Sequence, residues 1–113
     1  MRAKRGKPER VAESRFVGEA RAAGFMTRKM NGLGNASWPD QLVIGYGFDV
    51  YLEFKRLGED PTPLQADCHK ELRQRGQMVY VVYTVEGAWD AVCSAANNRG
   101  IKLKTTPLSP WYK

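Results

Sequence analysis

The run Pro39–Lys55, PDQLVIGYGFDVYLEFK, constrains this chain more than any other stretch. Two apolar segments, Gln41–Ile44 and Phe48–Phe54, flank Gly45-Tyr46-Gly47, and β-capable runs joined by so glycine-rich a turn form a hairpin. In the second segment Phe48, Val50, Leu52 and Phe54 alternate with Asp49, Tyr51, Glu53 and Lys55. A period of two puts Glu53 and Lys55 on one face and the apolar residues on the other. Asp40, just after Pro39, stands at the mouth of the first strand. Pairing the strands carries it towards Glu53 and Lys55, so that two carboxylates and an ammonium converge at one end of the hairpin. Hard divalent cations take such oxygens, and phosphodiester cleavage uses a cation beside them. The competing account is a solvent-facing strand, where charged residues alternate routinely.

The remaining composition narrows the setting. With 113 residues and 42% hydrophobic content, the chain reads as one globular domain with one core. No segment approaches the ~20 apolar residues of a membrane span, and the basic N-terminus lacks the apolar run of a secretory signal. Cys68 and Cys93 are isolated and only His69 is near the first, so four zinc ligands cannot be assembled. Two core thiols in a reducing cytoplasm account for them better. The net charge of +6 is uneven: residues 1–30 hold nine Lys or Arg against three Glu, and residues 31–113 nine against nine acids. The whole excess therefore lies N-terminally. Residues 1–8 have no amphipathic face, so this arm, with Arg2, Lys4, Arg5 and Lys7, suits nucleic-acid phosphates better than a membrane.

The expected domain spans residues 9–97, between a basic arm at 1–8 and a tail at 98–113. A first helix runs from Glu9 to Ala23 and closes at Gly24, with Phe16, Val17, Ala20 and Ala23 as its stripe. Glu13 falls on that stripe, and an inward carboxylate is costly unless a metal, a water or a basic partner satisfies it. The alternatives are a rotated helix or service to the first turn's dipole. Phe25–Met30 reads as a strand, and Asn31–Trp38 as a Gly/Asn-rich loop whose Trp38 either stacks on a base or, the commoner role, pins the loop to the core. Thr62-Pro63-Leu64-Gln65 carries an N-cap, a proline at the first helical position and a capping box. That helix should end before Gly76 and bury Leu64, Cys68 and Leu72. Gln65 and His69 lie four apart on an adjoining face, where the capping box already explains Gln65 and a partly exposed surface position suits His69. Met78–Tyr83 reads as a strand buried on both faces, parallel to Phe48–Phe54 through a right-handed crossover. Thr84 caps a last helix over Val85–Asn97, with Val85, Ala88, Trp89, Val92 and Cys93 inward, before a short strand at Ile101–Lys104.

The helix with an inward Glu13, Pro39-Asp40 followed by Glu53-Phe54-Lys55, and the helix opening Pro63-Leu64-Gln65 together resemble the PD-(D/E)xK nuclease superfamily. Within it the match is to the virus-type replication-repair nuclease (VRR-NUC) module, over about Glu9 to Val92. The resemblance implies an α/β fold with a restriction-endonuclease-like core, α-β-β-β-α-β-α, a mixed sheet flanked by helices. It further implies a Mg2+- or Mn2+-dependent endodeoxyribonuclease. Asp40 and Glu53 would be metal ligands, with the Phe54 carbonyl as a third and Glu13 completing or bracing the shell. Lys55 would orient or deprotonate the attacking water, Gln65 would reach the active site, and Lys29 would contact phosphate. Stand-alone members resemble junction-cutting dimers, so the resemblance implies branched DNA such as four-way junctions, a homodimer, and, for a phage-like chain, the cytoplasm of a bacterial host. Leu108, Trp111 and Tyr112 in the tail hint at an interface. The rival readings are a non-catalytic DNA-binding module and a sequence-specific restriction-type nuclease.

Overall fold

The computed structural model describes residues 8–32 and 34–103. Element order is α1 (Pro8–Ala22), β1 (Met26–Lys29), β2 (Gln41–Ile44), β3 (Asp49–Phe54), α2 (Pro63–Gln74), β4 (Val79–Val82) and α3 (Val85–Asn98). The expected α-β-β-β-α-β-α order is therefore observed. The basic residues Arg2, Lys4, Arg5 and Lys7, and the tail residues Leu108, Trp111 and Tyr112, lie outside the described residues. Of the strand expected over Ile101–Lys104, residues 101–103 are not strand, although Ile101 and Leu103 pack on the core.

The sheet has the order β1-β2-β3-β4, antiparallel for the first two pairings and parallel for the third. In β2–β3, Gln41 faces Leu52 and Ile44 faces Asp49, and the Gly45 N–H donates to the Phe48 carbonyl at 2.9 Å to close the loop. Gly45 is dictated by crowding: a Cβ there would come within 2.7 Å of the Phe48 ring and 2.9 Å of the Phe25 ring. Those rings meet edge-on, 6.0 Å between centroids, and are buried. The chain after each of the first two helices turns through a glycine of positive φ, Gly24 and Gly76, a conformation open to a residue without Cβ.

The core is divided by the sheet, in place of the one core expected. On one side α1 and α3 cover Val43, Val50, Leu52, Phe54 and Val82. There Phe16 meets Trp89 edge-on at 5.0 Å, and the Trp89 indole N–H donates to Glu19 at 2.8 Å. On the other side Tyr51, Leu72 and Val79 form a smaller cluster with Met30, Trp38, Leu42 and Cys68 around them. Trp38 stacks obliquely on Tyr51 at 6.0 Å, the pinning role expected of it.

This second cluster decides against the competing account of β3 and corrects two expectations for α2. The Tyr51–Glu53 face of β3 is not solvent-facing, because the crossover helix α2 lies over it: Tyr51 and Glu53 are both buried. Leu64, expected inside, is 70% exposed, while His69, expected near the surface, is 2% exposed. The helix is thus rotated so that its His69–Leu72 side faces the sheet.

Candidate metal centre

Hairpin register builds the site. Since Gln41 pairs with Leu52, the next residues outward, Asp40 and Glu53, come together at the open end of the hairpin. The ladder continues at that end, where the Met30 N–H donates to the Asp40 carbonyl at 2.9 Å. A cleft of about 680 Å³ opens here, lined by Glu9 and Glu13 of α1, Lys29, Asn31, Asp40, Glu53-Phe54-Lys55 and Gln65. The expected site residues Glu13, Lys29, Asp40, Glu53, Phe54, Lys55 and Gln65 thus line one cleft.

Each carboxylate is buried and held. Asp40, 8% exposed, takes the Phe54 N–H on Oδ2 at 2.7 Å and the Asn31 amide on Oδ1. Burial pushes its pKa from 3.8 to about 6. The Phe54 N–H pulls it down, the negative charges of Glu53 and Glu13 push it up, and Lys29 pulls it down. Glu13, inward as its helix position required, receives Gln41 Nε2 at 2.7 Å and Lys29 Nζ at 2.8 Å on one oxygen. Lys29 Nζ is also 4.0 Å from Asp40. The lysine expected at a phosphate is therefore ion-paired with site carboxylates, with its side chain still half exposed.

Glu53 is 2% exposed and held entirely from α2. His69 Nε2 lies 3.2 Å from Oε1, and Gln65 Nε2 donates to Oε2 at 3.4 Å. Gln65 also completes the capping box, its Oε1 accepting from the Thr62 N–H at 2.9 Å while the Thr62 hydroxyl accepts from the Gln65 N–H at 3.2 Å. It therefore caps the helix and also reaches Glu53. Lys55 lines the same cleft, and among the described residues its side chain makes no ion pair or hydrogen bond.

Sequence reasoning missed Asn31, Gln41 and His69. Gln41 could have been found, since it shares the inward parity of Val43. His69 was signalled by its four-residue spacing from Gln65.

The donor set fits a hard divalent cation in kind, being three buried carboxylates, with the charges of Glu53 and Glu13 both acting against that of Asp40. It is not already gathered: among the described residues no three His, Cys, Asp or Glu side chains are grouped as a ligand set. Hydrogen-bond donors and Lys29 now satisfy their oxygens.

No protein-family model matches the chain, and no curated protein matches it. Solved structures do. One, described as a VRR_NUC domain, aligns with a TM-score of 0.67 at 26% identity, covering 77% of this chain and 96% of its own. The fold is that of a VRR-NUC domain. A second, described as a VRR_NUC domain protein, covers 94% of this chain and all of its own, with a TM-score of 0.66 at 14% identity. The likeness shows the VRR-NUC fold, and the cleft lies where the hairpin, α1 and α2 meet. Among the described residues no helix is long and apolar enough to cross a membrane.

Proposed function

We propose that this VRR-NUC domain is a divalent-metal-dependent endodeoxyribonuclease. The observation that carries the reading is that buried Asp40 and Glu53 line one cleft together with Lys55. Asp40 and Glu53, with Glu13 and the Phe54 carbonyl, are the groups that would hold Mg2+ or Mn2+. Such an ion supplies Lewis-acid polarisation of the phosphodiester and a lower pKa for the attacking water.

The protein's own residues do the remaining work. Water attacks phosphorus, the bond to the 3′ oxygen breaks, and the products are a 5′-phosphate and a 3′-hydroxyl, the latter taking up a proton. Lys55 places positive charge where the pentacovalent transition state gains negative charge. Lys29, half exposed beside Glu13 and Asp40, offers a further cation to a phosphate at the mouth of the cleft. Arg2, Lys4, Arg5 and Lys7 add non-specific attraction to the backbone. Branched DNA such as a four-way junction is the proposed substrate and a homodimer the proposed assembly, two symmetric sites suiting two opposed strands. The proposed setting is the cytoplasm of a phage-infected bacterium.

A gel assay on labelled four-way junction, flap, single-stranded and duplex DNA, with Mg2+, Mn2+ or EDTA, tests this. Asp40→Ala, Glu53→Ala and Lys55→Ala should each abolish cleavage and leave DNA binding largely intact. Cutting by Glu53→Ala at the wild-type rate sinks the assignment. Binding without cutting under every condition favours the non-catalytic module, and fixed cleavage sequences favour a restriction-type enzyme.

A further inference from the structure

Glu53 draws its two hydrogen bonds from a single helical turn. Gln65 and His69, four residues apart on α2, face its two oxygens separately, Nε2 of Gln65 on Oε2 and Nε2 of His69 on Oε1. The orientation of the Gln65 amide is fixed independently, because its Oε1 is engaged by the Thr62 N–H in the capping box. His69 is as buried as the carboxylate it meets, with side-chain exposures of 3% and 2%. An ionised carboxylate only accepts, so toward it the imidazole serves through an Nε2–H. An imidazole buried to this extent in place of a leucine costs polar desolvation unless its hydrogen bond is made. Packing alone does not explain it.

We infer that His69 is a positioning residue for Glu53, holding this carboxylate in the rotamer and orientation from which it takes the metal. This rests on the nuclease reading above and adds to it a residue that touches neither substrate nor ion. The geometry leaves the carboxylate competent. An ionised carboxylate has about four lone-pair sites, and one donor on each oxygen leaves the others for an ion. Hydrogen-bonded partners of this kind hold ligands in place in metal sites generally, and their loss typically costs 10–100-fold in metal affinity or activity. The arrangement also joins the start of α2 to the site. Thr62 fixes Gln65, Gln65 and His69 fix Glu53, and the register of β3 then places Glu53 beside Asp40.

The test compares wild type with His69→Leu, which fills the buried space without a donor, and His69→Gln, whose Nε2 can take the place of the imidazole nitrogen. Mn2+ affinity is measured by calorimetry, and cleavage as a function of Mg2+ on the best DNA substrate. Thermal melts confirm that each variant is folded. His69→Leu should bind Mn2+ about 10-fold more weakly or worse and need correspondingly more Mg2+ for half-maximal cleavage. Its rate at saturating Mg2+ should largely recover, and His69→Gln should retain affinity near that of wild type. A folded His69→Leu that binds Mn2+ as wild type does, with an unchanged Mg2+ requirement, overturns the inference and leaves the nuclease reading standing. Should His69→Leu not fold, His69→Gln decides alone: Mn2+ affinity near wild type supports the inference, and a loss of about 10-fold despite a native melt overturns it. Wild-type protein that neither binds Mn2+ nor cuts overturns the nuclease reading, and this inference with it.

Discussion

Replacing Asp40 by Asn should make the folded protein more stable at neutral pH while destroying its proposed activity. The Asp40 carboxyl ionises near 3.8 in an unfolded chain and at about 6 in the fold, chiefly because burial penalises the anion. Below pH 3.8 both states carry the proton and the residue does not disfavour folding. Between 3.8 and about 6 the unfolded chain releases its proton first. Stability therefore falls as pH rises through this window, and the loss is complete above it. A raised pKa of roughly two units corresponds to about 3 kcal/mol at 1.36 kcal/mol per unit. Water at the open mouth of the cleft trims this to about 2 kcal/mol.

Asn keeps the local bonding. Its carbonyl can accept the Phe54 N–H, and its amide then faces Asn31, whose Oδ1 is buried with no hydrogen-bond partner. Turning the Asn31 amide over restores the donor–acceptor match. Asp40→Asn should thus exceed wild type by about 2 kcal/mol at pH 7.5 in EDTA, about 8 °C or more in Tm. At pH 4.5 the advantage should shrink to about a third of that. Urea and thermal melts at the two pH values measure it. A variant less stable than wild type at pH 7.5, or with the same difference at both pH values, would refute the reasoning.

Further expectations separate the roles of neighbouring residues. Thr62→Ala removes the helix cap and should cost about 1 kcal/mol, read in urea melts, with cleavage nearly unchanged. Gln65→Ala removes both the capping box and a bond to Glu53, so it should show a similar loss of stability together with weakened cleavage; equal activity in the two variants would confine Gln65 to the cap. Saturating Mg2+ should raise the Tm of wild type and leave that of Asp40→Asn almost unmoved. Gly45→Ala drives a methyl into the Phe48 and Phe25 rings, and should lower the urea midpoint by the equivalent of about 1–3 kcal/mol with little change in m.

The sequence alone determined the element order, the hairpin and the two capped helices, because these rest on local chemistry. A period of two in Phe48–Phe54, Thr-Pro-x-Gln at Thr62 and a glycine after each of the first two helices act within a few residues of themselves. The convergence of Asp40 and Glu53 was also legible, since a tight turn fixes antiparallel register. Glu13 declared itself by standing on an apolar stripe. Tertiary structure decided which faces are covered. Alternation in β3 cannot say whether its charged side meets water or a helix, and Glu53 is buried only because the crossover to parallel β4 lays α2 across it. The same docking turned Leu64 out and His69 in, a rotation that a helix with few apolar residues leaves open until a partner surface selects it. The ion pairing of Lys29 with Glu13 joins residues on α1 and β1, and depends on where those elements pack. Burial and long-range partners are properties of the assembled layers, which local pattern does not encode.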